Sequence, residues 1–255
     1  MIVALDHGLP LGPMPGIMDV SQTLGQIVEA RPDGVLLTPG QARSCKRHLL
    51  GKDSPALLLR LDWTNMFRNQ PAPEGYAPIR KVRDAVKFGA CGVVTYLFYG
   101  YENGEMQSLN MREVARTARE CEGWGIPLVV EAMARGKLVR TREVDPEVLK
   151  IPVRMAAEIG ADIIKTDYTG DPDSFSEITR CSPVPVMIAG GPKMGSPQAA
   201  LRAVSDALKA GAVGVFFGRN IFQAPSPLLM VRALRALIHE DADLDAALRI
   251  VEQQT

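Results

Sequence analysis

Histidine is scarce in this chain: His7, His48 and His239 are the only three in 255 residues. Two of them fall in helix-like segments, so a zinc centre built from several imidazoles cannot be assembled, and metal-assisted chemistry recedes. Cysteine is almost as rare. Cys45, Cys91, Cys121 and Cys181 are widely spaced and form no CxxC pair, a pattern that reads as reduced, mostly buried thiols of a cytosolic protein rather than a disulfide framework. Excess charge is missing too. Lys plus Arg is 29 and Asp plus Glu is 29, a formal net charge of +0, which gives no global field to draw in a polyanion and excludes nucleic acid as the expected partner. No apolar run approaches the roughly 18 residues that span a bilayer, and the opening "MIVALDHG" has no basic segment before its apolar residues. The expectation is a soluble, cytoplasmic protein with no membrane partner. Ser/Gly-rich linkers and low-complexity tracts are also lacking, which predicts one domain over residues 1–255.

What fills the chain is an alternation of short apolar runs with amphipathic segments. Candidate strands are "IVALD" (2–6), "GVLLT" (34–38), "ALLLRLD" (56–62), "GVVTYLFY" (92–99), "PLVVEAM" (127–133), "DIIKTDY" (162–168), "PVMIAG" (185–190) and "GVFFG" (214–218). Helix-like stretches lie between them, at 19–30, 40–50, 78–88, 110–123, 146–159, 174–180, 197–210 and 227–239, with 243–252 as a terminal addition. "KFGACGVV", "EIGADIIK" and "KAGAVGVF" each close a helix on glycine and enter a strand in the same way. Eight βα units at this length predict an α/β fold, a single (β/α)8 TIM barrel. The irregular stretch 63–77 then reads as a loop over the barrel mouth.

In such a barrel, chemistry gathers at the C-terminal ends of the strands. Those ends hold Asp6 and His7, Thr38, Arg60 and Asp62, Tyr96 and Tyr99, Glu131, Lys165 and Asp167, Gly190 and Gly191, and Gly218 with Arg219. Lys165 stands out because it interrupts a β-branched, apolar strand. Burial and nearby positive charge push a lysine toward its neutral, nucleophilic form, which can condense with a carbonyl; the lysine alone also fits a structural ion pair with Asp6 or Asp167. "IAGGPK" (188–193) and "FFGRN" (216–220) bring glycine to two adjacent strand ends, where bare backbone N–H groups can approach an oxyanion and Arg219 can add a charged contact. Phosphate is the expected ligand there. Asp6 is a candidate for holding a substrate hydroxyl or moving a proton. His7 alternates to the other face and reads as a packed or capping residue.

The stretches "GADIIKTDYTGDPDSF", "VPVMIAGGPK", "AGAVGVFFGRNIFQ" and the opening "ALDHG…GP" together resemble the archaeal-type class I fructose-bisphosphate aldolases, which share a superfamily with deoxyribose-phosphate aldolase. The resemblance runs to about Gln223. Related enzymes are 2-amino-3,7-dideoxy-D-threo-hept-6-ulosonate synthase, which "CEGWGIPL" (121–128) also resembles, and the autoinducer-2 thiolase. It implies that Lys165 forms a Schiff base with no cofactor and no metal, that Asp6 assists, that Gly190, Gly191, Gly218 and Arg219 hold the phosphate of a sugar or keto substrate, and that the chain is a homo-oligomeric lyase. Two positions depart from the pattern. Phe98 stands where the aldolases carry a tyrosine acid, which leaves Tyr96 on the same strand face, or Tyr99, to replace it. Glu131 stands where no acid is expected; as a desolvated carboxyl it would be a proton donor, and as a structural residue a partner of Arg135 or Lys137. The chain also opens directly on its first strand, without the N-terminal segment common in such relatives. An aldolase acting on a phosphorylated ketose is the reading these residues favour, followed by the heptulosonate synthase type and the thiolase. A non-catalytic sugar-phosphate sensor would keep Gly191 and Arg219 but would have no need of Lys165.

Overall fold

A computed structural model describes residues 1–65 and 75–253. Eight parallel strands close a barrel: β1 (Ile2–Ala4), β2 (Gly34–Leu37), β3 (Ala56–Arg60), β4 (Gly92–Tyr99), β5 (Leu128–Ala134), β6 (Ile163–Asp167), β7 (Val186–Ala189) and β8 (Val215–Phe217), with β8 paired back onto β1. All eight expected strands are present. Each is followed by helix, and several helices start as the sequence signals predict: Asp145, Ser196 and Ser226 accept backbone N–H bonds ahead of a proline in the first turn. Among the described residues no helix is long and apolar enough to cross a membrane.

Period-two alternation builds the interior in layers. Ala4, Leu36, Leu58, Val94, Val129, Met187 and Phe216 point inward and fill the middle of the barrel with a buried apolar plug. Two residues further along their strands stand Arg60, Tyr96, Glu131 and, after Ile163, Lys165. The register lines up Tyr96 with Glu131 and Glu131 with Lys165 on adjacent strands. A polar layer therefore lies directly on hydrocarbon. The alternate positions face outward and join the larger core between strands and helices, where Leu59, Leu97, Val130 and Ile164 pack. Tyr99 packs on that outer side, as alternation predicts.

Three local features differ from the sequence expectation. β1 ends at Ala4 rather than Asp6, because a turn and the short helix Gly8–Leu11 follow. The helix expected at 110–123 begins six residues earlier and runs Gly104–Trp124, capped by Asn103. The stretch 63–77 is not all loop: Asp62–Thr64 pairs antiparallel with Tyr76–Pro78, while 66–74 lies outside the described residues. Of the cysteines, Cys91 is exposed rather than buried; all four are unpaired.

β4 outruns its neighbour β3, whose last registered pair is Arg60 with Val94. The backbone groups left over on that edge are met by side chains. Asp62 accepts from Tyr96 N–H at 2.7 Å, Asn110 accepts from Phe98 N–H and donates to Tyr96 C=O, both at 2.9 Å, and Gln107 donates to Phe98 C=O at 2.9 Å and accepts from Gly100 N–H at 3.2 Å. These side chains stand in for the missing strand, which matters because buried backbone groups without partners are costly. Asn110→Ala should leave one N–H and one C=O unpaired at roughly 1–3 kcal/mol each, lowering the urea midpoint without changing the far-ultraviolet circular dichroism; an unchanged midpoint would show that the edge does not depend on Asn110.

Candidate functional site

The C-terminal mouth of the barrel opens into a cavity of about 80 Å³. Its walls include Asp6, Tyr96, Glu131 and Lys165, together with Gly190, Gly191, Gly218 and Arg219. All eight residues singled out in the sequence thus face one space. Arg60, His7, Arg135 and Asp167 join them there.

Arg60 is the most enclosed of these, at 1% exposure, and is the largest fully buried side chain among the described residues. Its Nε donates to Asp6 at 2.8 Å, its Nη2 to Glu131 at 2.6 Å, and its Nη1 lies 3.4 Å from Asp62. The guanidinium also stacks over the Tyr96 ring, 3.8 Å from its centroid. Burial opposes the charge, but Tyr96 and the three carboxylates outweigh it and hold Arg60 protonated.

Lys165, on β6, gives its Nζ to Oε1 of Glu131 at 2.8 Å and sits 5.6 Å from the centroid of the Phe216 ring. Its partner is therefore neither Asp6 nor Asp167, the two that the sequence suggested. Glu131 in turn does not pair with Arg135 or Lys137. It bridges Lys165 and Arg60 with one oxygen each, because strand register puts it directly beside Lys165. Burial pushes the Glu131 carboxyl up, yet Lys165 and Arg60 overcome it and hold the group at about 2. In the resting site it is a carboxylate, not the raised, protonated donor that desolvation alone would make. Tyr96 is the opposite case: burial drives its phenol well above the ordinary range against the pull of Arg60. Asp62, also buried, is pushed up to about 6 in spite of Arg60, and accepts from Thr95 and the Tyr96 backbone. Phe98 is fully buried, 5.0 Å from Tyr96 between ring centroids, in an aromatic cluster with Tyr76 and Tyr101.

On the far wall, Arg135 donates to Oδ1 of Asp167 at 2.9 Å, lies 2.7 Å from its Oδ2 in the same ion pair, and reaches Glu143 at 3.4 Å. Lys137 pairs with Glu102 on the surface instead. His7 is a correction as well. The turn after Ala4 breaks strand alternation, so the imidazole faces the cavity, edge-on to Phe222 at 5.4 Å and 3.8 Å from Asp6. Burial pushes it down to about 4, so it is neutral.

The glycines serve distinct purposes. Gly191 holds φ +59°, a conformation few side chains tolerate. A Cβ on Gly218 would fall 2.2 Å from the His7 ring and 2.7 Å from the Ala4 carbonyl, so glycine is required there for the close approach of β1. Asn220 ties the two glycine-bearing ends together, donating to Gly190 C=O at 2.7 Å and accepting from Met194 N–H at 2.8 Å. Sequence reasoning passed over it although it stands in the quoted "FFGRN". Thr38, at the end of β2, caps the next helix in a reciprocal bond with Gln41.

The DeoC/LacD family aldolase profile matches residues 1–224. An uncharacterized aldolase of Saccharolobus solfataricus is 39% identical over 257 aligned positions, covering 99% of this chain and 94% of that protein. The 2-amino-3,7-dideoxy-D-threo-hept-6-ulosonate synthase of Halobacterium salinarum is 34% identical over 248 positions, covering 97% and 89%. Among solved structures, an archaeal fructose-1,6-bisphosphate aldolase whose catalytic lysine is covalently bound to the carbinolamine intermediate superposes with a TM-score of 0.79 at 32% identity, covering 93% and 92%. The chain belongs to the DeoC/LacD aldolase family.

The Glu131 ion pairs carry a pH signature. Its folded-state pKa is depressed from 4.5 to about 2, so its contribution to stability is complete above 4.5 and is lost as pH falls from there toward 2. Glu131→Gln should flatten the fall of the urea midpoint in that window by about one proton's worth of slope; an unaltered slope would mean that the carboxyl titrates alike in folded and unfolded chains.

Proposed function

We propose that this aldolase is a Schiff-base-forming, class I enzyme that cleaves or forms a C–C bond in a phosphorylated ketose, of the fructose-bisphosphate type, with Lys165 as the imine-forming residue. The observation that carries the reading is the placement of one lysine in a water-poor cavity, on an apolar plug, with its ammonium on a carboxylate. The Schiff-base aldolase fold neighbour supports it.

The steps follow from the contacts. As Nζ attacks the keto carbon, the ammonium passes one proton to Glu131. The carbinolamine hydroxyl takes that proton back and leaves as water. The iminium carries the same single positive charge as the ammonium it replaces, so the Glu131 pairing stays balanced throughout. Asp6 then takes the proton of the hydroxyl on the carbon to be released, the C–C bond breaks, and its electron pair moves into the iminium to leave an enamine and a free aldehyde. Tyr96, protonated and lining the same cavity, gives its proton to the enamine carbon and regains one from Asp6, and water then hydrolyses the iminium to free the keto phosphate and Lys165; synthesis runs the same steps in reverse. The iminium is the electron sink, so this mechanism calls for no cofactor. Backbone N–H groups around Gly190, Gly191 and Gly218, with Arg219, hold the substrate phosphate. The likeness to the Halobacterium salinarum synthase supports one second reading, a transaldolase.

Borohydride added with dihydroxyacetone phosphate should leave a stable adduct that peptide mapping places on Lys165, and Lys165→Met should abolish it. An adduct on another lysine would overturn the assignment, and none with any keto phosphate would favour a sugar-phosphate sensor. Arg219→Ala should weaken phosphorylated substrates by roughly 1.5–3 kcal/mol, the range for a hydrogen bond to a charged group, while barely changing kcat/KM for an unphosphorylated analogue; equal losses for both would make Arg219 a structural residue.

A further inference from the structure

Arg60 lines the cavity without a part in the steps above. It touches Asp6 and Glu131 through different nitrogens and covers the face of Tyr96, so it meets all three of the side chains that handle protons there. An arginine that served one ion pair would give both nitrogens of its fork to one carboxylate. Here the fork is divided. We propose that Arg60 is the positioning residue of the site, a single guanidinium that holds Asp6 and Glu131 apart on separate nitrogens and so reserves one for the proton of Lys165 and the other for the substrate hydroxyl. The inference rests on the imine-forming reading of Lys165.

The physical argument is what the site becomes without that charge. Facing Arg60 are Asp6 from the turn after β1, Asp62 from the antiparallel ribbon, Tyr96 from β4 and Glu131 from β5. Around Glu131 the other charged or titratable groups are Lys165, with Arg135 and His7 further off. With Arg60 gone, three buried carboxyls would share the single adjacent ammonium of Lys165. Like charges held close in a buried site cannot all ionise, and one proton comes to be shared between them. The division of labour between Asp6 and Glu131 would then be lost. Lysine is a poor substitute, since a point charge can neither fork to two carboxylates nor stack on the tyrosine ring.

The test compares wild type with Arg60→Lys and Arg60→Ala. The rate of borohydride-trappable adduct formation is followed against pH at saturating dihydroxyacetone phosphate. Arg60→Lys should lower turnover about 10²–10⁴-fold, the span of general acid–base catalysis, and Arg60→Ala should move the acid limb of adduct formation up by about 1–3 pH units, the effect of removing an opposite charge a few ångströms away. Guanidinium ion at sub-denaturing concentration should restore adduct formation to Arg60→Ala, and urea, of the same shape without the charge, should not. Should Arg60→Ala fail to fold, Arg60→Gln, which also removes the charge, decides. An acid limb in the charge-free variant coincident with wild type, or equal rescue by urea, would overturn the proposal and leave Arg60 a structural brace. If wild type itself gives no adduct on Lys165, the imine reading fails instead, and the upward shift is read from urea midpoints against pH, where its absence overturns the role of Arg60.

Discussion

A charge placed on hydrocarbon must be matched by another at contact distance or it will not stay ionised. That constraint governs the mouth of this barrel. The plug of Leu58, Val94, Val129 and Phe216 excludes water from below, and the layer above it carries Arg60, Glu131 and Lys165 with Asp6 and Asp62 against them. Arg60 lets the set coexist. It neutralises two carboxylates directly, and through Glu131 it fixes the environment of the lysine. The neutral His7, the protonated Tyr96 and the ionised Glu131 are three results of one balance between burial and nearby charge. In His7 and Tyr96 burial wins; in Glu131 two cations win.

The barrel was legible because its signals are local and repeated. Eight apolar runs and the recurring helix–glycine–strand phrase needed no long-range information. Period two also put Tyr96 on the face of Phe98 and turned Tyr99 toward the helices, while Lys165 and Glu131 stood out by their place near strand ends. The partners were not legible. Asp6 and Arg60 are 54 positions apart, and Arg60 and Glu131 are 71 apart, so their pairing depends on strand order and register rather than on spacing. His7 was misplaced for a different reason: alternation was carried three residues past the real end of β1, at Ala4. Asn220 was missed because its work is to join two loops, and nothing in a single sequence shows which loops meet.

In this member of the DeoC/LacD aldolases, Phe98 and Glu131 set the character of neighbouring strands. Phe98 has no polar atom to offer, and the aromatic cluster it joins closes the upper end of β4 with Tyr76, Tyr101 and Met133. Polar function on that face is concentrated in Tyr96, one step deeper, where the guanidinium covers its ring. On β5, meanwhile, the ionised Glu131 stands beside the lysine. The rim of this wall is thus apolar and its floor charged.

The upper edge of β4 gives this site a freedom that its other strands lack. Elsewhere around the barrel a strand position is fixed by a ladder that cannot be altered without shifting the register of a whole βα unit. Along 96–100 the ladder is replaced by Asp62, Asn110 and Gln107, three side chains that a lineage can exchange one codon at a time. Tyr96 and Phe98 hang from that seam. The stretch of wall that carries Tyr96, the proposed proton donor, is therefore also a stretch open to gradual remodelling, where new chemistry can be tried while the scaffold keeps its shape.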